Sequence, residues 1–99
     1  MSSTSHKNEN MPLEVSIEIA NKLGLHARPA AMFVRVAGQF SSEITVEKDN
    51  EQVNGKSIMG LMMLAAGCGS VLRITAFGAD AEQALQALSD LVGRKFDEE

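Results

Sequence analysis

The chain has 99 residues, room for one small domain and no more. Hydrophobic residues at 44% and charged residues at 22% describe a globular chain, and the longest nearly uncharged stretch, residues 57–72, is broken by Gly60, Gly67 and Gly69 and does not read as a membrane span. Nine basic against thirteen acidic residues, with no lysine or arginine cluster, argue against a duplex-DNA binder, and the absence of Trp and Tyr argues against a base-stacking platform.

Residues 1–10, MSSTSHKNEN, are polar and without period, so a disordered tail is expected there, with residues 11–99 forming a single domain. Met11 offers a second translation start, and His6 reads as a solvated tail residue. No basic-then-apolar leader pattern opens the chain, and a cytoplasmic protein is expected. Residues 13–19 alternate apolar and polar, which predicts a half-buried strand with Leu13, Val15, Ile17 and Ile19 inward. A loop over residues 21–24 leads to a helix opened by Pro29, with Ala30, Phe33, Val34 and Ala37 as its buried stripe and Gly38 at its end. Residues 42–48 alternate again, Asp49-Asn50 suits a tight hairpin turn, and residues 51–53 form the short returning strand. Ser57 caps a short apolar helix over residues 58–66 that Gly67 stops. Cys68 is the only cysteine, which excludes an internal disulfide and a multi-cysteine metal site. Residues 70–77 form a strand with Leu72, Ile74 and Ala76 on one face. Asp80, with Gln83 three residues on, reads as the cap of a last helix whose stripe is Ala81, Ala84, Leu85, Leu88, Leu91 and Val92. Asp97, Glu98 and Glu99 read as a frayed, solvated acidic end.

The element order is β-α-β-β-α-β-α. Four short strands and three one-faced helices predict an α+β fold, an open-faced β-sandwich with a mainly antiparallel four-stranded sheet and all three helices on one face.

Three segments carry candidate chemistry. Pro29 places His26 just upstream of a helix start, where several backbone amides lack intrahelical partners and anions are favoured. A phosphoryl group on a neutral imidazole there would meet the Ala27 and Arg28 amides and the Arg28 guanidinium. The same histidine also reads as an ordinary capping or surface residue. No Asp or Glu lies beside it in sequence, and no second folded histidine supports a metal site. Gly55-Lys56-Ser57 resembles the end of a P-loop but lacks the glycine five residues earlier, since position 50 is Asn. Ser57 is therefore a helix cap and, if exposed, a place where phosphate gains from the helix dipole. The segment with Ile58, Met59, Leu61, Met62 and Met63 is apolar nearly all round. A short helix on a sheet cannot bury every face, so some of Ile58, Met59 and Met62 are expected to stay exposed as an adaptable docking patch.

Gly-Leu-His-Ala-Arg-Pro-Ala at residues 24–30 and Gly-Lys-Ser-Ile-Met-Gly at residues 55–60 resemble the HPr family, histidine-containing phosphocarriers of the phosphoenolpyruvate-dependent sugar phosphotransferase system, and the resemblance runs over roughly residues 13–92. It implies His26 as phosphoryl acceptor on Nδ1, Arg28 as its steadying cation, and phosphorylated enzyme I as donor. Acceptors would be the IIA domains of sugar permeases. It implies Ser57 as the regulatory target of HPr kinase/phosphorylase, and Ile58, Met59 and Met62 as the shared docking surface, with a transcription regulator as a partner on the phosphoserine side. The implied protein is a monomeric carrier rather than an enzyme, with no cofactor, metal, nucleic acid or membrane contact. Two other readings stand beside it. One is a regulatory phosphorelay protein of nitrogen or catabolite control without a part in sugar uptake. The other is a sandwich that senses a small molecule in a pocket between sheet and helices.

Overall fold

Short apolar-polar runs and a hairpin turn build four strands, with two helices between them and a third after the last. The computed structural model describes residues 11–98, so the expected tail of residues 1–10 and Glu99 lie outside it. The elements are β1 (Leu13–Glu18), α1 (Ala27–Ala37), β2 (Glu43–Lys48), β3 (Glu51–Asn54), α2 (Ile58–Met63), β4 (Val71–Phe77) and α3 (Ala81–Gly93), followed by a short turn at Lys95–Asp97. The sheet runs β1-β4-β2-β3 and every pairing is antiparallel. One inward row crosses all four strands, Val15 to Ile74 to Val46 to Val53. The next row, Ser16, Arg73, Glu47 and Gln52, faces the open side, where Arg73 pairs with Glu47. The hairpin turn is the expected one, with Asp49 and Asn50 both at positive φ.

The layer between sheet and helices is filled by side chains. Phe33 and Ala30 of α1, Leu61 of α2, and Ala84, Leu88, Leu91 and Val92 of α3 bury against Val46, Leu72, Ile74 and Ala76. All six residues of the expected α3 stripe are buried. Among the helices, α1 packs on both α2 and α3, which fixes where its N-terminus emerges.

Four boundaries or roles differ from the sequence expectation, each for a local reason. Helix α1 starts at Ala27, two residues before Pro29, because the missing proline N–H falls in a first turn whose amides have no intrahelical acceptor anyway. Helix α2 ends at Met63 rather than Ala66. Leu64 and Ala65 close it with i to i−3 bonds, Ala65 turns to φ +51°, and the Ala66 carbonyl is freed to accept the Leu25 amide at 2.8 Å. Asp80 makes no side-chain cap on α3. Its carboxylate instead accepts from the Ser41 and Ser42 amides and from both hydroxyls, four donors against the one its own helix offers. Finally, Glu98 is not solvated: only 17% of its side chain is exposed. Phe96 is the cause. Lys95, Phe96 and Asp97 all take positive φ, Phe96 is buried in the core, and the chain beyond it turns back over the domain.

Two predictions come from these contacts. Gly24 sits at φ +71°, and a Cβ there would stand 2.5 Å from the Ala66 carbonyl oxygen and 2.7 Å from Gly67 Cα. Gly24→Ala should cost at least about 1–3 kcal/mol and lower the melting temperature by at least roughly 5 °C. Hydrogen bonds from Ser42 and Ser41 hold the Asp80 carboxyl down at about 2, below its unfolded value near ~3.9. A depressed carboxyl stabilises the fold above the unfolded value and loses that contribution as pH falls through the folded one. Asp80→Asn should therefore be less stable than the parent at neutral pH, with the gap closing between about pH 4 and pH 2 in denaturant titrations. A constant gap down to pH 2 would contradict this.

Candidate functional site

The loop between β1 and α1 is tied at both ends before it reaches His26. Asn21, fully buried, donates through Nδ2 to the Gly24 carbonyl at 2.8 Å, while the Gly24 amide returns to the Asn21 carbonyl at 3.1 Å. Leu25 is buried and bonded to Ala66. His26 is thus delivered to the N-cap of α1 with extended backbone and 37% of its side chain exposed. Its own carbonyl accepts the Ala30 amide at 2.9 Å, but its ring makes no cap bond. Among the described residues the Ala27 and Arg28 amides have no acceptor, and the Arg28 guanidinium makes no ion pair. Two free N–H groups, a free guanidinium and an exposed imidazole therefore share one helix start, an arrangement suited to a phosphate-sized anion.

The imidazole has a partner that its sequence neighbours do not supply. Glu98 approaches His26 Nε2 with Oε2 at 3.2 Å and Oε1 at 3.4 Å, and Glu98 Oε1 also accepts from Asn21 Nδ2 at 3.0 Å. Sequence reasoning missed both Glu98 and Asn21. One signal was present: Phe96 is a large apolar residue inside an otherwise charged chain end, which marks an anchor rather than a frayed tail.

Ser57 lies on a different helix. It caps α2, its Oγ accepting the Gly60 amide at 2.9 Å, and it is half-buried. Gly60 lets this helix lie close, since a Cβ there would stand 3.2 Å from Ser57 Oγ and 3.3 Å from Val53 Cβ. Ile58, Met59 and Met62 are all exposed, and so are Met63 and Leu23. His26 and Met62 line one shallow groove of about 260 Å³ together with Leu23, Leu25, Ala65, Ala66 and Gly67. Ser57, Ile58 and Met59 lie outside that groove. A larger open groove along β2 and β3, about 450 Å³, is lined in part by Lys56 but by none of His26, Arg28, Ser57, Ile58, Met59 and Met62. Lys56 Nζ is already engaged there with the Phe40 carbonyl at 2.7 Å. Among the described residues no group of three His, Cys, Asp or Glu side chains is disposed to hold a metal ion, and no helix is long and apolar enough to cross a membrane.

Comparison with known proteins adds a second line of evidence. The family model described as the PTS HPr component phosphorylation site matches residues 13–94. The chain is 55% identical over 86 residues to the phosphocarrier protein HPr of Neisseria meningitidis serogroup B, covering 87% of this chain and 97% of that protein. It is 51% identical over 76 residues to the HPr-like protein Crh of Halalkalibacterium halodurans, covering 77% and 90%. The crystal structure of HPr from Thermoanaerobacter tengcongensis superposes with a TM-score of 0.85 at 59% identity, covering 88% and 98%.

The cap on α2 yields a stability prediction separate from the histidine. Ser57→Ala leaves the Gly60 amide without its acceptor and should cost about 1 kcal/mol. The denaturant midpoint should fall with an unchanged m-value, and an unshifted midpoint would show that the cap contributes nothing.

Proposed function

The chain belongs to the HPr family, and on that premise we propose that His26 is its phosphoryl acceptor, charged by phosphorylated enzyme I and discharged to IIA domains of sugar permeases. The protein is a phosphocarrier of the phosphotransferase system, a carrier rather than a catalyst. The observation that supports His26 is its place at the N-cap of α1, beside two amides and an arginine that have no partner among the described residues. The Nδ1 lone pair attacks phosphorus as the bond to the donor breaks. The Ala27 and Arg28 amides and the Arg28 guanidinium receive the phosphoryl oxygens. Passing the group on reverses these steps, with the electron pair returning to Nδ1.

Docking falls to the exposed apolar side chains of α2. Met62 shares the groove with His26, and Ile58 and Met59 continue the patch along the helix. Unbranched methionines adapt to differently shaped partners, which suits a carrier that must bind several and leave each quickly. Ser57 is the regulatory site, phosphorylated by HPr kinase/phosphorylase. A phosphate there keeps an acceptor oxygen for the Gly60 amide and adds about −1.5 to −2 charges at the edge of the docking patch. All of this chemistry is cytoplasmic.

Incubation with enzyme I and phosphoenolpyruvate should place an acid-labile phosphate on the protein. His26→Ala should abolish it, and Arg28→Ala should slow its transfer roughly 10–100-fold, the worth of a charge-assisted hydrogen bond. Equal labelling of His26→Ala would defeat the assignment. With a serine kinase and ATP, an acid-stable phosphate should appear at Ser57 and vanish in Ser57→Ala.

A further inference from the structure

We infer that Glu98, held by Asn21, is a positioning residue that selects which nitrogen of His26 is free to attack. The inference rests on His26 being the acceptor. An imidazole has two tautomers, and only the one with its proton on Nε2 leaves a lone pair on Nδ1. Glu98 Oε2 lies 3.2 Å from Nε2, and an ionised carboxylate only accepts, so this contact requires the proton on Nε2.

The carboxylate is itself held. Asn21 is fully buried, and its Nδ2 bonds Gly24 O at 2.8 Å and Glu98 Oε1 at 3.0 Å. Its orientation is fixed by these two acceptors: reversing the amide would set Oδ1 against a carbonyl and a carboxylate. Oδ1 accordingly has no partner among the described residues. The chain end is anchored by buried Phe96 through three consecutive positive-φ residues. Asn21, Glu98 and His26 thus form a line running from the core to the exposed ring. During transfer the Nδ1 lone pair forms the bond to phosphorus, the donor keeps the pair from the bond that breaks, and the Nε2 proton stays where it is. The ring becomes cationic beside the Glu98 carboxylate. On discharge the pair returns to Nδ1 and the same tautomer is restored.

The decisive variant is Glu98→Gln. Asn21 Nδ2 demands the glutamine oxygen on its side, which turns the amide N–H₂ toward His26 Nε2. That nitrogen must then accept, the proton moves to Nδ1, and the attacking lone pair is lost. A residue that merely supported the chain end would tolerate this isosteric change better than truncation to alanine. Tautomer selection predicts the reverse order.

The test uses the full chain in a His6→Ala background, so that His26 is the sole labelled ring. Long-range proton–nitrogen NMR of ¹⁵N-histidine protein reports the tautomer, and phosphorylated enzyme I reports the transfer rate. Wild type should show the proton on Nε2. Glu98→Ala should raise the Nδ1-protonated population and slow transfer roughly three- to tenfold. Glu98→Gln should show the proton mainly on Nδ1 and fall at least about tenfold below wild type and below Glu98→Ala. Unchanged nitrogen shifts in both variants, or Glu98→Gln faster than Glu98→Ala, would overturn the inference. Wild-type protein charged elsewhere than His26 would instead remove the acceptor reading, while the nitrogen shifts would still show whether Glu98 sets the tautomer.

Discussion

The first amides of an α-helix have no acceptor within it, and the helix starts of this structure differ in how far the chain's own side chains meet that need. At the start of α2 Ser57 Oγ accepts one of them, from Gly60, while the Ile58 and Met59 amides have no acceptor among the described residues. At the start of α1 the N-cap is His26, whose ring makes no cap bond, and the Ala27 and Arg28 amides have no acceptor among the described residues. The third amide is removed altogether by Pro29. The capping residue is therefore what separates the two starts: a serine that takes one amide at α2, and a histidine whose ring takes none at α1. The packing of α1 on both α2 and α3 keeps that open end in register with the rest of the site.

Keeping it open requires rigidity just before it. The loop from Asn21 to Leu25 is bonded internally and to Ala66, and Gly24 approaches the Ala66–Gly67 backbone too closely for any side chain. Helix α2 stops early because Ala65 turns to φ +51°, and the chain beyond that turn presents the Ala66 carbonyl to the Leu25 amide. The end of α2 and the start of α1 are thus one structural unit, which is why Met62 and His26 come to line a common groove.

Much of this was legible in the sequence because it is local. Period-two alternation gave three of the strands, Asp49-Asn50 gave the hairpin and with it the short returning strand, and the stripe on α3 was read residue for residue. His26 and Ser57 were visible because Pro29 and the apolar run after Ser57 mark helix starts within a few residues. What escaped was long-range. Asp80 looked like a cap, but Ser41 and Ser42, some forty positions away, offered its carboxylate more donors than its own helix. Glu98 looked solvated because nothing near it in sequence hints at Asn21 and His26, more than seventy positions earlier. The end of α2 was misplaced because Ala65 turns to positive φ with no glycine to mark it, and the start of α1 because Pro29 sits inside the first turn rather than at its head.

A carrier must hold its phosphoryl group without trapping it, and the proposed acceptor, His26, has groups of both signs around it. In the first turn of α1, beside the ring, stand two amides and Arg28, all attractive to a dianion. On the Nε2 side stands Glu98, which attracts the ring once it is cationic but repels the phosphoryl group itself. The ring is more than a third exposed, so water and salt weaken every one of these charge interactions. No single contact is buried enough to become a strong, irreversible hold. With His26 as the proposed acceptor, charges of opposite sign beside one partly exposed ring favour a hold weak enough to be released.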